Sequence, residues 1–191
     1  MKRSVEYFER PGLQNTEACM VLVDQLVQNE GYKNVVVAST SGDTGLIAAR
    51  RLQGKGVNLV IVAHSVGFQG PNQDQFSENA HQEITSLGGR VYKGTILTHS
   101  IETSIAKEFS GSYPTLLVAN TLRRFGHGTK VCCEIVMEAV DAGLIAEGQH
   151  VVAVAGTGKG ADTVAILRSA ASKRFLELFV SQIVAKPAQF K

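Results

Sequence analysis

Three short apolar runs, each closing on a loop of glycine and hydroxyl side chains, constrain this chain more than any other feature. Val35-Val36-Val37-Ala38 leads into Ser39-Thr40-Ser41-Gly42-Asp43-Thr44-Gly45. Residues 57–63 lead into His64-Ser65-Val66-Gly67-Phe68, and residues 150–155 into Gly156-Thr157-Gly158-Lys159-Gly160. Short apolar runs without a polar alternation suit strands covered on both faces, which parallel sheets between helix layers contain. The loops that follow such strands share one edge of the sheet, where open α/β sheets hold their ligands.

Between these runs the hydrophobic period becomes helical. Cys19, Leu22, Val23 and Leu26 recur at i, i+3, i+4 and i+7, predicting a first helix that Asn15 or Thr16 caps and Gly31 ends. Residues 46–52 read as a second helix. Ala80, Ile84 and Leu87 mark a third, closed by Gly88-Gly89 before a short strand over 90–92. Residues 101–109 and 116–124 are expected helices, with Pro114 in the first turn of the latter. Residues 129–142 carry an apolar stripe of Cys132, Ile135, Val136 and Ala139. Glu134, Glu138 and Asp141, at i, i+4 and i+7, read as the solvated edge of that helix rather than as acid/base machinery.

The carboxyl-terminal third changes pattern. Residues 163–167 are β-branched and apolar, so a strand is expected where a βαβ unit would place a helix. A last strand is expected over 176–185, stopped by Pro187. The expected fold is therefore α/β: a three-layer α/β/α domain whose mostly parallel mixed sheet has an antiparallel strand near the carboxyl terminus. With 191 residues, 44% of them hydrophobic and 19% charged, one domain spanning 1–191 with a substantial core is expected.

Composition narrows the partners. Nineteen Lys plus Arg stand against seventeen Asp plus Glu, so no basic field points to nucleic acid. No apolar stretch approaches the roughly 20 residues that span a bilayer, so no membrane partner is expected. The charges of Met1-Lys2-Arg3-Ser4-Val5-Glu6 are followed by no apolar leader core. Cys19, Cys132 and Cys133 lack disulfide or zinc spacing, which leads us to expect no metal and a reducing, cytoplasmic compartment.

The loops carry the functional signal. In Ser39-Thr40-Ser41-Gly42-Asp43-Thr44, hydroxyls, a glycine and the start of a helix converge, a combination suited to phosphate. One capping residue would suffice for an ordinary turn, and this loop has five. Gly156-Thr157-Gly158-Lys159-Gly160-Ala161-Asp162-Thr163 lets backbone approach a ligand and offers a cation. It is not a Walker loop, because Gly160 follows Lys159; the strand pattern after it also argues against a dinucleotide fold. His64, Ser65, Gly67 and Phe68 fall on the same edge, as do Asn15 and the segment Arg123-Arg124-Phe125-Gly126-His127-Gly128-Thr129-Lys130. Asp162 is read evenly as a ligand contact or a loop cap. No nucleophile elbow or H-E-x-x-H is present, and Cys132 and Cys133 fall on a core helix.

At residues 35–44 and 143–167 the chain resembles the carboxyl-terminal effector domain of pyruvate kinase. In that domain a Ser/Thr-rich turn and helix hold the phosphate of a sugar bisphosphate, and residues 143–152 (GLIAEGQHVV) resemble the family's "GLIxxGDxVV" run. The resemblance implies a three-layer fold with a five-stranded mixed sheet whose last strand is antiparallel. Over nearly its whole length the chain is similar to stand-alone, largely archaeal proteins of this fold. The similarity is carried by Tyr7-Phe8, Pro11-Gly12, Asn15-Thr16-Glu17, Gly42-Asp43-Thr44, Gly67-Phe68, Phe125-Gly126-His127-Gly128, Lys130-Val131-Cys132 and Gly160-Ala161-Asp162-Thr163. Members of that group are associated with flavin mononucleotide (FMN), which the resemblance therefore implies as cofactor, with its phosphate at residues 39–44. No room exists for the kinase's catalytic barrel of roughly 250 residues, so kinase activity is not expected. Two alternatives stay open: a sugar-phosphate isomerase-like enzyme, whose S-x-S-G-x-T loop residues 39–44 also fit, with His64 as candidate base; and a purely regulatory module that senses a phosphorylated metabolite and acts through a partner chain. A homo-oligomer stays open as well.

Overall fold

The computed structural model describes residues 3–98 and 100–190; Met1 and Lys2 of the amino-terminal stretch lie outside them. The strands β1 (Glu6–Phe8), β2 (Asn34–Ala38), β3 (Asn58–His64), β4 (Arg90–Gly94), β5 (His150–Ala155), β6 (Thr163–Arg168) and β7 (Phe179–Pro187) form one sheet, in the order β1-β7-β6-β5-β2-β3-β4. β5, β2, β3 and β4 pair in parallel, β6 runs antiparallel to both β5 and β7, and β1 pairs in parallel with β7. The architecture is thus the mostly parallel, mixed α/β sheet expected, with one reversed strand near the carboxyl terminus.

Alternation along the central strands builds two cores. Val35, Val37, Leu59, Ile61, Val152 and Val154 face one way and pack on α1 (Thr16–Glu30), α2 (Asp43–Leu52) and α3 (Glu78–Ser86). Val36, Val60, Val62, Val151, Ala153 and Ala155 face the other way and pack on α6 (His127–Asp141). Every one of these strand residues is at most 4% exposed, so both faces of the sheet are covered and the strands read as continuous apolar runs. The two middle helices, α4 (Ile101–Phe109) and α5 (Pro114–Leu122), lie more loosely: α4 has no buried residue, and α5 buries only Ala119.

Several expectations need correcting. β1 was not foreseen, because a three-residue strand has no pattern of its own and forms on the edge that β7 offers. With β1 and β7 the sheet has seven strands rather than the five implied by resemblance. The last strand begins later, since Ser172–Glu177 is a 3-10 segment with Leu176 exposed, and it includes Pro187, which lies opposite Phe8. Helix α2 starts at Asp43, three residues before the expected span, because Gly42 turns the chain with φ of 101°. A side chain at that position would also strike the Cβ of Ala80 at 2.5 Å.

The largest correction concerns α6. Glu134 and Glu138 are each 3% exposed and form no solvated edge; of the three acids only Asp141 is exposed, where its Oδ1 accepts from the Ser172 amide. Twelve of the fifteen residues of α6 are buried. The sheet lies under one side of the helix, and the polar row faces a cavity on another.

Candidate functional site

A cavity of about 240 Å³ lies between α6 and the carboxyl ends of β2, β3 and β5. Its upper rim is made by loops that follow buried strands. Ser39 and Thr40 line it directly after β2, His64 and Phe68 after β3, and Gly156 and Gly158 after β5. Val62, Ala63, Ile96, Val131 and Ile135 supply the apolar wall. The α6 residues His127, Lys130, Val131, Glu134, Ile135 and Glu138 lie at i, i+3, i+4, i+7, i+8 and i+11, one continuous face of the helix. At about 1.5 Å per residue, that face runs roughly 16 Å from His127 to Glu138.

The two ends of this cleft differ in charge. At the loop end, Arg123 and the amino terminus of α6 with His127 face the hydroxyls of Ser39 and Thr40. This end thus gathers hydroxyl side chains, glycine backbone, a guanidinium and a helix amino terminus, whose dipole is positive. At the other end, Lys130 pairs with Glu134 one turn on, and Thr98 donates to the same carboxylate. Burial lowers the Lys130 pKa, opposed by the Glu134 charge. Glu138 stands one turn further. Burial, and next the charge of Glu134, push its carboxyl up to about 8, so it holds its proton at neutral pH.

Seven of the residues nominated from sequence line the cavity: Ser39, Thr40, His64, Phe68, Lys130, Gly156 and Gly158. His64 is held by its ring contact with Phe68, centroids 4.3 Å apart, and by Nδ1 at 3.2 Å from the Gln75 Oε1. Ser39 also accepts from the Gly45 amide at 3.1 Å, which fixes the first turn of α2.

The remaining nominees do not line it. Ser41 is exposed and donates to Asp43 at 2.8 Å, while Gly42 and Thr44 are buried beside α2. Ser65, Gly67, Phe125, Gly126 and Lys159 stand outside the lining, and the Asn15 side chain donates to the Arg10 carbonyl at 2.7 Å. Asp162 is fully buried and accepts from the amides of Gly12 and Thr157 and from the Thr163 hydroxyl. Those bonds clamp the glycine loop to the amino-terminal segment, which is the capping role. Gly128 has a packing reason of its own: a Cβ there would lie 2.1 Å from the Thr163 Oγ1.

Arg123 and His127 lie in the segment expected at this edge without having been singled out, and sequence reasoning missed Glu134 and Glu138 as lining residues. A signal existed: around Lys130, Glu134 and Glu138 the helix carries Val131, Cys132, Cys133, Ile135, Val136, Met137, Ala139 and Val140. A helix apolar on nearly every side is a buried helix, and charges inside it need an internal purpose.

Fold and cleft together define a three-layer α/β domain with a polar cavity at the carboxyl edge of its sheet. Residues 17–167 match the model of the pyruvate kinase alpha/beta domain, and the chain belongs to that family. Among solved structures, a pyruvate kinase from Cryptosporidium parvum is similar at 12% identity and a TM-score of 0.43, over 83% of this chain and 24% of the kinase. A second Cryptosporidium parvum pyruvate kinase structure gives 14% identity and a TM-score of 0.38, over 84% and 24%. An O-ureido-L-serine synthase gives 16% identity and a TM-score of 0.30, over 73% and 49%. The chain thus spans about a quarter of the length of the pyruvate kinases it matches. Among the described residues no helix is long and apolar enough to cross a membrane, and no group of three or more His, Cys, Asp or Glu side chains is placed to hold a metal.

Proposed function

We propose that the chain binds a phosphate-bearing small molecule in this cavity, with FMN as the first candidate. The observation that carries the reading is the loop end of the cleft, where Ser39, Thr40, Gly156, Gly158 and Arg123 meet the amino terminus of α6. The phosphate sits there, served by hydroxyl and amide donors and by a guanidinium. Phe68 and His64 offer ring faces to a planar group, and Val62, Ile96, Val131 and Ile135 offer apolar contact.

The residues fit FMN in kind: an anion end, aromatic neighbours, and an uncharged donor at the far end. The volume of about 240 Å³ lies below the roughly 300–1,000 Å³ of drug-sized ligand pockets, so a mononucleotide keeps part of its surface at the open mouth, where Phe68 is exposed. Bound FMN would supply flavin redox chemistry; what this chain supplies is binding, orientation and partial exclusion of water.

Titration of the purified protein with FMN, followed by absorption and by flavin fluorescence, tests the reading. Saturable uptake is expected, with inorganic phosphate competing. Thr40→Ala and Arg123→Gln should each weaken uptake by about tenfold or more, the scale of a lost hydrogen bond to a charged group. A protein that takes up neither FMN nor phosphate sinks the reading. One that takes up sugar phosphates but not FMN keeps the anion site and replaces the cofactor.

A further inference from the structure

The anion end does not account for the floor of the cleft. Glu138 is 3% exposed, lines the cavity, and its Oε2 has no hydrogen-bond partner among the described residues. A buried carboxyl oxygen without a partner is costly, and such groups in native proteins are met by water or by a ligand. No described neighbour makes a hydrogen bond to it. Glu134 is already engaged by Lys130 and by Thr98. Lys130 itself, Tyr92 on β4 and Asp141 on α6 are the other ionisable groups close enough to interact with it. His64, Arg123 and, at the amino-terminal end of the same helix face, His127 also line the cavity. Lys130 and Glu134 cancel in charge, and protonated Glu138 adds none, so the floor is neutral overall while the loop end is positive.

We propose that Glu138 determines the specificity of the cavity, donating its carboxyl hydrogen to an uncharged acceptor at the end of the ligand remote from the phosphate. The acceptor class is a carbonyl oxygen or a ring nitrogen. A second phosphate at that end would bring uncompensated charge onto an enclosed floor of no net charge, beside the Glu134 carboxylate, so the cleft takes monophosphate esters and turns away bisphosphates. This rests on the anion-site reading above and adds the opposite end of the ligand to it.

Calorimetric titration of the full chain separates the two. The probes are inorganic phosphate, FMN, a hexose 6-phosphate and a hexose 1,6-bisphosphate, applied to the wild type, Glu138→Gln and Glu138→Leu. The wild type is expected to bind the monophosphates at least about tenfold more tightly than the bisphosphate. Glu138→Gln keeps a donor of the same shape and should bind FMN within about twofold of wild type at neutral pH. The wild type is expected to bind FMN more weakly above pH about 8, and Glu138→Gln should remove that weakening. Glu138→Leu should weaken FMN by about tenfold or more and leave inorganic phosphate unchanged. Circular dichroism melting of both variants shows whether they are folded; if the Leu variant is not, the pH profile decides, since FMN binding that weakens above pH about 8 equally in the wild type and the Gln variant overturns the inference.

Phosphate binding with FMN affinity indifferent to both substitutions overturns this inference and spares the anion site. A bisphosphate bound as tightly as the monophosphates also overturns it. A wild type that binds none of the probes overturns both.

Discussion

The two faces of the sheet are made by the same strands and do different work. On the face toward α1, α2 and α3, Val35, Val37, Ile61, Val152 and Val154 meet Cys19, Met20, Val23, Ala48 and Ile84, all at most 4% exposed. That face is solid. On the other, Val36, Val60 and Ala153 meet Cys132, Ile135, Val136 and Ala139, but beside them the packing opens into the cleft and admits Lys130, Glu134 and Glu138. The strands contribute valine and alanine to both sides, so the difference lies in the covering helix. A sheet buried on both faces can be dry on one and hold a polar site on the other, provided that one helix carries a polar row amid apolar ones.

If the faces differ as described, truncating a core side chain should cost more on the solid one. Ile61→Ala should destabilise by about 2–5 kcal/mol, the range for deleting buried methyl and methylene groups in a close-packed site. Ile135→Ala, at the cavity wall, should fall near the low end of that range, because one side of the isoleucine already faces open space. Chemical denaturation with a common slope measures both. Equal costs would break the comparison.

A second experiment sharpens it through pH. The Glu138 carboxyl titrates near its ordinary value of 4.5 when unfolded and at about 8 when folded. Between those values the folded state holds a proton that the unfolded state has released. Stability contributed by this group is therefore full below about 4.5, declines as pH rises toward 8, and levels off above it. Glu138→Gln should flatten that decline, on the order of a few kcal/mol across the window. Unfolding curves collected at a series of pH values read this out. An unchanged slope in the variant would mean that Glu138 does not carry the proton, and that the polar row is less enclosed than the solid face opposite.

The smallest effect tests the rim shared by the two sides. Ser39→Ala removes the acceptor for the Gly45 amide at the first turn of α2, and a loss of about 1 kcal/mol is expected. Because Ser39 also lines the cleft, the same variant should weaken phosphate binding. A variant that loses binding without losing stability would assign Ser39 wholly to the cavity.

Much of this arrangement was legible in the chain. The runs at 35–38, 57–63 and 150–155 mark strands because only a strand covered on both sides tolerates unbroken valine and alanine. The loops behind them had to share an edge, because parallel strands all end on the same side, and Ser39, His64 and Gly156 do meet there. The helix α2 was legible over 46–52, but its start at Asp43 was not, because it follows from the left-handed turn at Gly42. β1 and the displaced start of β7 escaped, because short edge strands are decided by the neighbour they pair with rather than by their own pattern.

The orientation of α6 was settled only by tertiary packing. Periodicity tells which residues share a face of a helix, and it identified the stripe of Cys132, Ile135, Val136 and Ala139 correctly. It does not tell what covers the other faces. Glu134 and Glu138 have the spacing of a solvated edge, and in an amphipathic surface helix they would be one. Here the sheet, α5 and the segment bearing Thr98 enclose the helix, so the same two residues become buried groups that must find partners inside the protein. The sequence determined the strands, the helices and the edge where the loops gather, since those follow from local period and backbone preference. Only the tertiary structure decided that the carboxylates face a cavity, because burial is a property of the neighbours and not of the residue.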